Sequence, residues 1–176
     1  MKFDMVNLMW SDKVTGVPDE SLPILKSKLN CILESWEGTP YGKGMQAKQV
    51  GVDCVRFVFG VLDELYGHSY RPTLKIPEDT AFHQPKTSVR AMNHLISNYP
   101  SERLVPYHLL EPGDILITGA KGKGPGHAMI VGSEKNHIWH MDSHFVSRTG
   151  PLFTSGNSSL YYLYRIYRIK DKHLWI

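Results

Sequence analysis

Apolar residues recur at helical spacing in the first part of the chain and alternate with polar ones in the last part. Leu22, Leu25, Leu29, Ile32, Leu33 and Trp36 share one helical face, predicting a helix over residues 21–37. Ser21 suits its N-cap and Pro23 its first turn, and Gly38 with Pro40 stops it. A glycine-rich loop, 38–51, leads to a second helix over 53–66, with the stripe Phe57, Val58, Val61 and Leu65 and Gly67 at its end. Residues 67–86 carry Pro72, Pro77 and Pro85 and read as irregular, and Val89, Met92, Leu95 and Ile96 predict a third helix over 88–99.

The period then changes. Pro112-Gly113-Asp114 is a turn, 114–118 a short apolar strand, and 127–131 and 137–141 two more on either side of Gly132-Ser133-Glu134-Lys135. Residues 160–169 alternate through Tyr162, Tyr164 and Ile166 as a last strand. Helices first and an antiparallel sheet second define an α+β fold with the helices on one sheet face. No internal repeat is visible. The 176 residues suit a single domain, with 1–20 as an N-terminal extension.

Composition narrows the function. Only two cysteines occur, Cys31 and Cys54, so no disulfide framework is expected. The net charge is +3 with scattered basic residues, among them Lys121, Lys123, Lys170 and Lys172. No basic stripe is interleaved with aromatics, which argues against nucleic acid. Residues 1–10 lack the apolar run of a secretory signal, and no stretch is long enough to span a bilayer. Synthesis in the cytoplasm is expected, with any export by another route such as a phage particle or a secretion machine.

Cys54 opens the second helix. A helix N-terminus presents unpaired N–H groups and about half a positive charge. That placement is expected to lower the thiol pKa and favour the reactive thiolate. Cys31 lies mid-helix and reads as structural. A thiolate nucleophile needs a base, and the base an orienting group. A hairpin pairing Val131 with Asn136 would set His127 directly opposite His140, with Cβ atoms about 5 Å apart. His127 is then the base and His140 its orienting partner, a role open also to Asp142 or to backbone. A rival reading uses His137, His140, Asp142 and His144 as a metal site, since His140, Asp142 and His144 would share one face of an extended strand.

Five segments occur in series: Gly38-Thr39-Pro40-Tyr41-Gly42, Gly51-Val52-Asp53-Cys54, Glu111-Pro112-Gly113-Asp114-Ile115, Gly126-His127-Ala128-Met129-Ile130-Val131 and Ile138-Trp139-His140. In this order they resemble the NlpC family of papain-like cell-wall cysteine peptidases. Together they span about residues 20–168. The resemblance implies a papain-like hydrolase without cofactor that cuts an amide in peptidoglycan stem peptides, typically between D-glutamate and a diamino acid. It implies attack by Cys54 to a thioester, proton transfer by His127, orientation by His140, and an oxyanion held by the Cys54 N–H and the Tyr41 hydroxyl. Asp53 matches a position that binds the free amine of the first alanine. The stretch Val61-Leu62-Asp63-Glu64-Leu65-Tyr66-Gly67 is similar to members from phage tails and gene-transfer particles, which implies tail or secretion-machine partners.

The chain departs from the family pattern after the thiol. Val55-Arg56 stands where Ser-Gly is usual, and the Trp-Gly-Gly that commonly follows the loop tyrosine is absent. Arg56 is expected to point away from Cys54. These departures motivate a further rival, a non-catalytic binding module on the same fold. An acyltransferase would share the thioester step and is not separated from a hydrolase by sequence.

Overall fold

The structure, a computed structural model, describes residues 10–66, 101–104, 109–120, 126–135, 137–149, 161–169 and 172. The third helix expected over 88–99 and the irregular stretch 67–86 lie outside these residues.

The first helix, α1, runs Leu22–Trp36, preceded by a 3-10 turn at Asp19–Ser21. Its buried residues, Leu25, Leu29, Leu33 and Trp36, are those the helical spacing selects. Two short strands follow, β1 (Gln46–Ala47) and β2 (Gly51–Val52), paired antiparallel in the glycine-rich loop. A side chain at Gly42 would place its Cβ 2.7 Å from Met45 Sδ and 2.9 Å from Gly51 Cα, so the two passes of this loop meet only through glycine.

The second helix, α2, is Cys54–Tyr66. It crosses α1 at Gly60, where an added Cβ would fall 2.4 Å from Trp36. That indole is fixed by a hydrogen bond from Nε1 to Glu64 (2.8 Å) and by edge contact with Phe57 (centroids 5.9 Å). Gly60→Ala should therefore destabilise the protein by about 1–3 kcal/mol through overpacking. This outweighs the ~1 kcal/mol that Ala gains over Gly in a helix interior. Urea denaturation would check it, and a stabilised variant would mean that the indole can yield.

The remaining strands are β3 (Ser101–Leu104), β4 (Ile115–Ala120), β5 (His127–Val131), β6 (Ile138–Met141), β7 (Val146–Thr149) and β8 (Tyr161–Ile169). They form a six-stranded sheet in the order β3-β8-β4-β5-β6-β7, each pair antiparallel. Alternation gives each face its own core. Ile115, Ile117, Ala128, Ile130, Trp139 and Met141 pack with both helices, whereas Leu116, Met129, Val131, Ile138 and Ile166 pack on the other face with Leu110 and Trp10. The α+β arrangement with helices on one face is thus present.

From Trp10 onwards the segment before residue 20 contacts the residues leading into β4. Trp10 bridges to Leu110, and the Thr15 amide and hydroxyl bond the Glu111 carboxylate at 2.7 and 2.5 Å. Glu111 belongs to a buried ionic cluster at the start of β4. Arg168 from β8 holds Asp114 in a fork, Nε to Oδ1 at 3.0 Å and Nη2 to Oδ2 at 2.7 Å, and reaches Glu111 through Nη1 at 2.7 Å. Lys172 adds contacts to Glu111 at 3.4 Å and to the Pro112 carbonyl at 3.1 Å. Burial pushes the Lys172 pKa down, against the pull of the Asp114 and Glu111 charges.

Candidate active site

Asp53 supplies the cap that starts α2. Its Oδ1 accepts the Val55 and Arg56 amides at 3.1 and 2.9 Å. Capping of this kind fixes the first turn, and with it Cys54, the first helical residue. The thiol is half-buried and packs against the helix-side core. The Ala128 amide favours thiolate at the sulfur, which puts the start of β5 close to Cys54.

The histidine pair forms, but by a different route from the expected one. Val131 pairs with Ile138 and Met129 with His140, so the register is shifted by two from a hairpin that would oppose His127 to His140. The connection is longer than the pattern suggests. The Gly132 amide bonds the His137 carbonyl (2.8 Å), and His137 Nδ1 bonds Glu134 (2.6 Å), beyond the last ladder pair Val131–Ile138. His127 and His140 are therefore diagonal neighbours. Their rings still meet, Nε2 to Nδ1 at 3.0 Å, with centroids 5.2 Å apart and planes at 84°. That contact consumes His127 Nε2 and directs the other ring nitrogen elsewhere.

Directly opposite His127 on β4 stands Thr118. Among the described residues, the buried side-chain polar atoms without a hydrogen-bond partner are Thr118 Oγ1 and His140 Nε2. Both adjoin His127, so hydrogen-bonding capacity is left open at this one place. Sequence reading missed Thr118, and only the register of β4 against β5 reveals it.

The electrostatics overturn one expectation. The thiol pKa is pushed up to about 11, chiefly by burial and secondarily by the Asp53 charge. The Ala128, Val55 and Cys54 amides favour thiolate but do not outweigh burial. Burial likewise lowers His127 to about 3, helped by His140 and opposed by Asp142, and lowers His140 against the Asp142 charge. The Cys54 thiol and the His127 imidazole are thus both neutral at rest. Helix placement alone would favour the thiolate, but desolvation of the charged form outweighs it at this site.

The sign of the effect can be read in labelling. A thiol protonated up to about pH 11 reacts slowly at neutral pH, because the thiolate is the nucleophile. Iodoacetamide at pH 7 should modify exposed Cys31 ahead of Cys54, and Cys54 labelling should climb steeply only above pH 9. Intact-mass analysis reads this directly, and preferential Cys54 labelling at pH 6–7 would show an activated thiolate instead.

Burial raises the Tyr41 pKa, and the Asp53 carboxylate and the ionised form of Cys54 add to it. The phenol stays protonated and can donate. Its backbone is set by the Tyr41 amide bonding the His144 carbonyl at 2.6 Å. Asp142 closes the turn that presents that carbonyl, its Oδ1 accepting the His144 and Phe145 amides at 2.6 and 2.9 Å. Burial would raise the Asp142 carboxyl, but these amides and the imidazoles of His140 and His144 hold it below the usual range.

The metal reading does not survive the turn at 142–145. Strand alternation ends at Met141, so His140, Asp142 and His144 do not line one face. His137 bonds Glu134, His140 faces His127, and His144 Nδ1 bonds Ser143 Oγ at 2.7 Å. Among the described residues no three such groups converge as metal ligands.

Asp53 and Arg56 form an ion pair across the first turn of α2, and Asp53 Oδ2 also accepts the Gly44 amide at 3.1 Å. Arg56 thus turns back over the residue preceding the thiol. Sequence reading missed this pair, although the i,i+3 spacing of opposite charges at a helix start is a signal for it.

No family model matches the sequence, and no curated protein matches it. Among solved structures, the NlpC/p60 domain of peptidoglycan hydrolase SagA is 16% identical with a TM-score of 0.48, over 82% of this chain and 98% of that one. A protein described as similar to lipoprotein, NLP/P60 family, from Staphylococcus aureus subsp. aureus Mu50 is 16% identical with a TM-score of 0.49, over 90% of this chain. This chain spans 44% of the length of that second protein. Likeness at this level does not carry the activity of either neighbour to this chain. No helix among the described residues is long and apolar enough to cross a membrane.

Proposed function

We infer that the protein is a cysteine hydrolase of peptide amides in the bacterial cell wall, with Cys54 as nucleophile. The observation that carries this reading is the Ala128 amide acting on the Cys54 sulfur, one residue along β5 from an imidazole paired through Nε2 to His140. The peptidoglycan stem as substrate, with a D-glutamyl–diamino acid bond as the cut, comes from the sequence resemblance to NlpC peptidases. So does a setting on a phage particle or secretion machine.

In this mechanism His127 takes the thiol proton as the Cys54 sulfur bonds the amide carbon. The carbonyl oxygen becomes an oxyanion facing the Cys54 N–H and the Tyr41 hydroxyl. The C–N bond breaks as His127 passes its proton to the leaving amine, which gives a thioester and a free amine. Water, deprotonated by His127, attacks the thioester, and the sulfur leaves and is reprotonated. Because the resting pair is neutral, proton transfer accompanies attack on the bound substrate. The unsatisfied His140 Nε2 and Thr118 Oγ1 leave polar sites beside the imidazolium that forms.

The test is digestion of purified sacculi and defined stem peptides, with products identified by mass. New amine and carboxyl termini establish hydrolysis, and transfer to an added amine instead of water would identify an acyltransferase. The protonated thiol favours one rival, a binding module on the same fold, which would retain stem peptides without releasing any product.

A further inference from the structure

The first turn of α2 carries a charge that the thiol chemistry does not use. The Asp53 carboxylate is filled by the amides of Val55, Arg56 and Gly44 and by the Arg56 guanidinium. A carboxylate offers about four acceptor positions, so Asp53 keeps none for a ligand. The Asp53 side chain is 10% exposed and that of Arg56 20%, so the cation is the partner that reaches solvent. Among the described residues Nη1 is the Arg56 side-chain nitrogen with an acceptor. The pair lies beside Cys54, because Asp53 directly precedes it and caps the helical turn that Cys54 opens.

A guanidinium pinned at one nitrogen, with the rest of its fork open, is built to take a planar anion through parallel N–H bonds. An ammonium group would meet that cation in front of an occupied carboxylate and would be repelled. We propose that Arg56 is a specificity residue that binds a carboxylate of the substrate next to the carbonyl attacked by Cys54, and that Asp53 positions it. This rests on the hydrolase reading above and deepens it. A γ-linked glutamyl residue leaves its α-carboxylate free near the scissile amide, so the substrate class is an acidic isopeptide, selected by that carboxylate and not by a free amine.

The test uses two γ-glutamyl stem peptides that differ only in bearing an α-carboxylate or an α-carboxamide. Calorimetry on the Cys54→Ala protein reads binding without turnover, and the intact enzyme is assayed for cleavage separately. The carboxylate peptide should bind at least about tenfold more tightly, as expected for a charge-assisted contact. With Arg56→Gln added, the ratio should fall to about one. The released Asp53 carboxylate should then favour a free N-terminal amine over its acetylated form, a reversal that a merely structural cap pair would not give. Arg56→Lys keeps the Asp53 pair and the fold but loses the fork, and should retain only part of the preference. Equal binding of the two peptides, binding of neither, or a preference that survives both substitutions overturns the proposal. The hydrolase reading fails differently: Arg56-dependent binding without any cleavage by the intact enzyme would keep the anion site and remove the peptidase.

Discussion

Cys54→Ala should lower turnover of stem peptides by a factor of about 10⁴ or more, and Cys31→Ala should leave it at the wild-type rate. Removing the nucleophile of a concerted unit removes nearly all of its effect at once. His127→Ala should cost about as much, and the double variant little more, because the two residues act in one step. His140→Ala should lose less, on the order of a hundredfold. It leaves the base in place but frees its Nε2, now held at 3.0 Å. His140→Gln should recover part of that loss, since an amide oxygen can replace the imidazole acceptor. Release of new amine from a defined peptide, followed by chromatography and mass, gives all these rates in one assay. Activity surviving in Cys54→Ala, or lost only in Cys31→Ala, would remove Cys54 from the mechanism. The acid side of the profile follows from the same burial. An ordinary histidine protonates near 6.5, whereas His127 stays neutral to about 3, so kcat/KM should not fall between pH 7 and 5.

The largest effect on stability is expected at Asp114. This carboxylate is fully buried, accepts the Glu111 amide at 2.9 Å and holds Arg168 in a fork. Glu111 and Asp114 balance Arg168 and Lys172 in one buried group. Asp114→Ala leaves the cations in excess with no water to solvate them. Breaking a buried pair from one side costs about 3–5 kcal/mol. For a chain of this size that is a fall in Tm of about 10 °C. Thermal unfolding followed by circular dichroism measures it. A loss below 1 kcal/mol would mean that solvent reaches the cluster once the carboxylate is gone.

Much of this architecture is legible in the sequence, and the parts that are not have physical reasons. α1 and α2 stand out because each buries a regular stripe and has clear stop or cap residues, and β4, β5, β6 and β8 because their apolar positions are interior. β3 and β7 give no pattern. Their sequences, Ser-Glu-Arg-Leu and Val-Ser-Arg-Thr, belong to the two edges of the sheet, where charged residues are the rule. That Cys54 opens a helix and His127 a strand follows from the sequence pattern. The register between β5 and β6 does not, because it depends on how Gly132, Glu134 and His137 close their connection. Neither does the protonation of the thiol. Helix position can be read from the chain, but desolvation depends on what packs over the sulfur, and here it is the larger effect. The Asp53–Arg56 pair is visible as a spacing, yet that Arg56 fills the carboxylate is a three-dimensional fact.

The burial that keeps Cys54 protonated also governs how the protein ages in air. Peroxide attacks thiolates that it can reach, and proceeds through sulfenic acid to irreversible products. A half-buried thiol held neutral to about pH 11 offers little of that species. Cys31, exposed on α1, is the sulfur that another molecule can reach. Without reductant, oxidation should therefore end in dimers joined through Cys31, with the Cys54 thiol intact inside them.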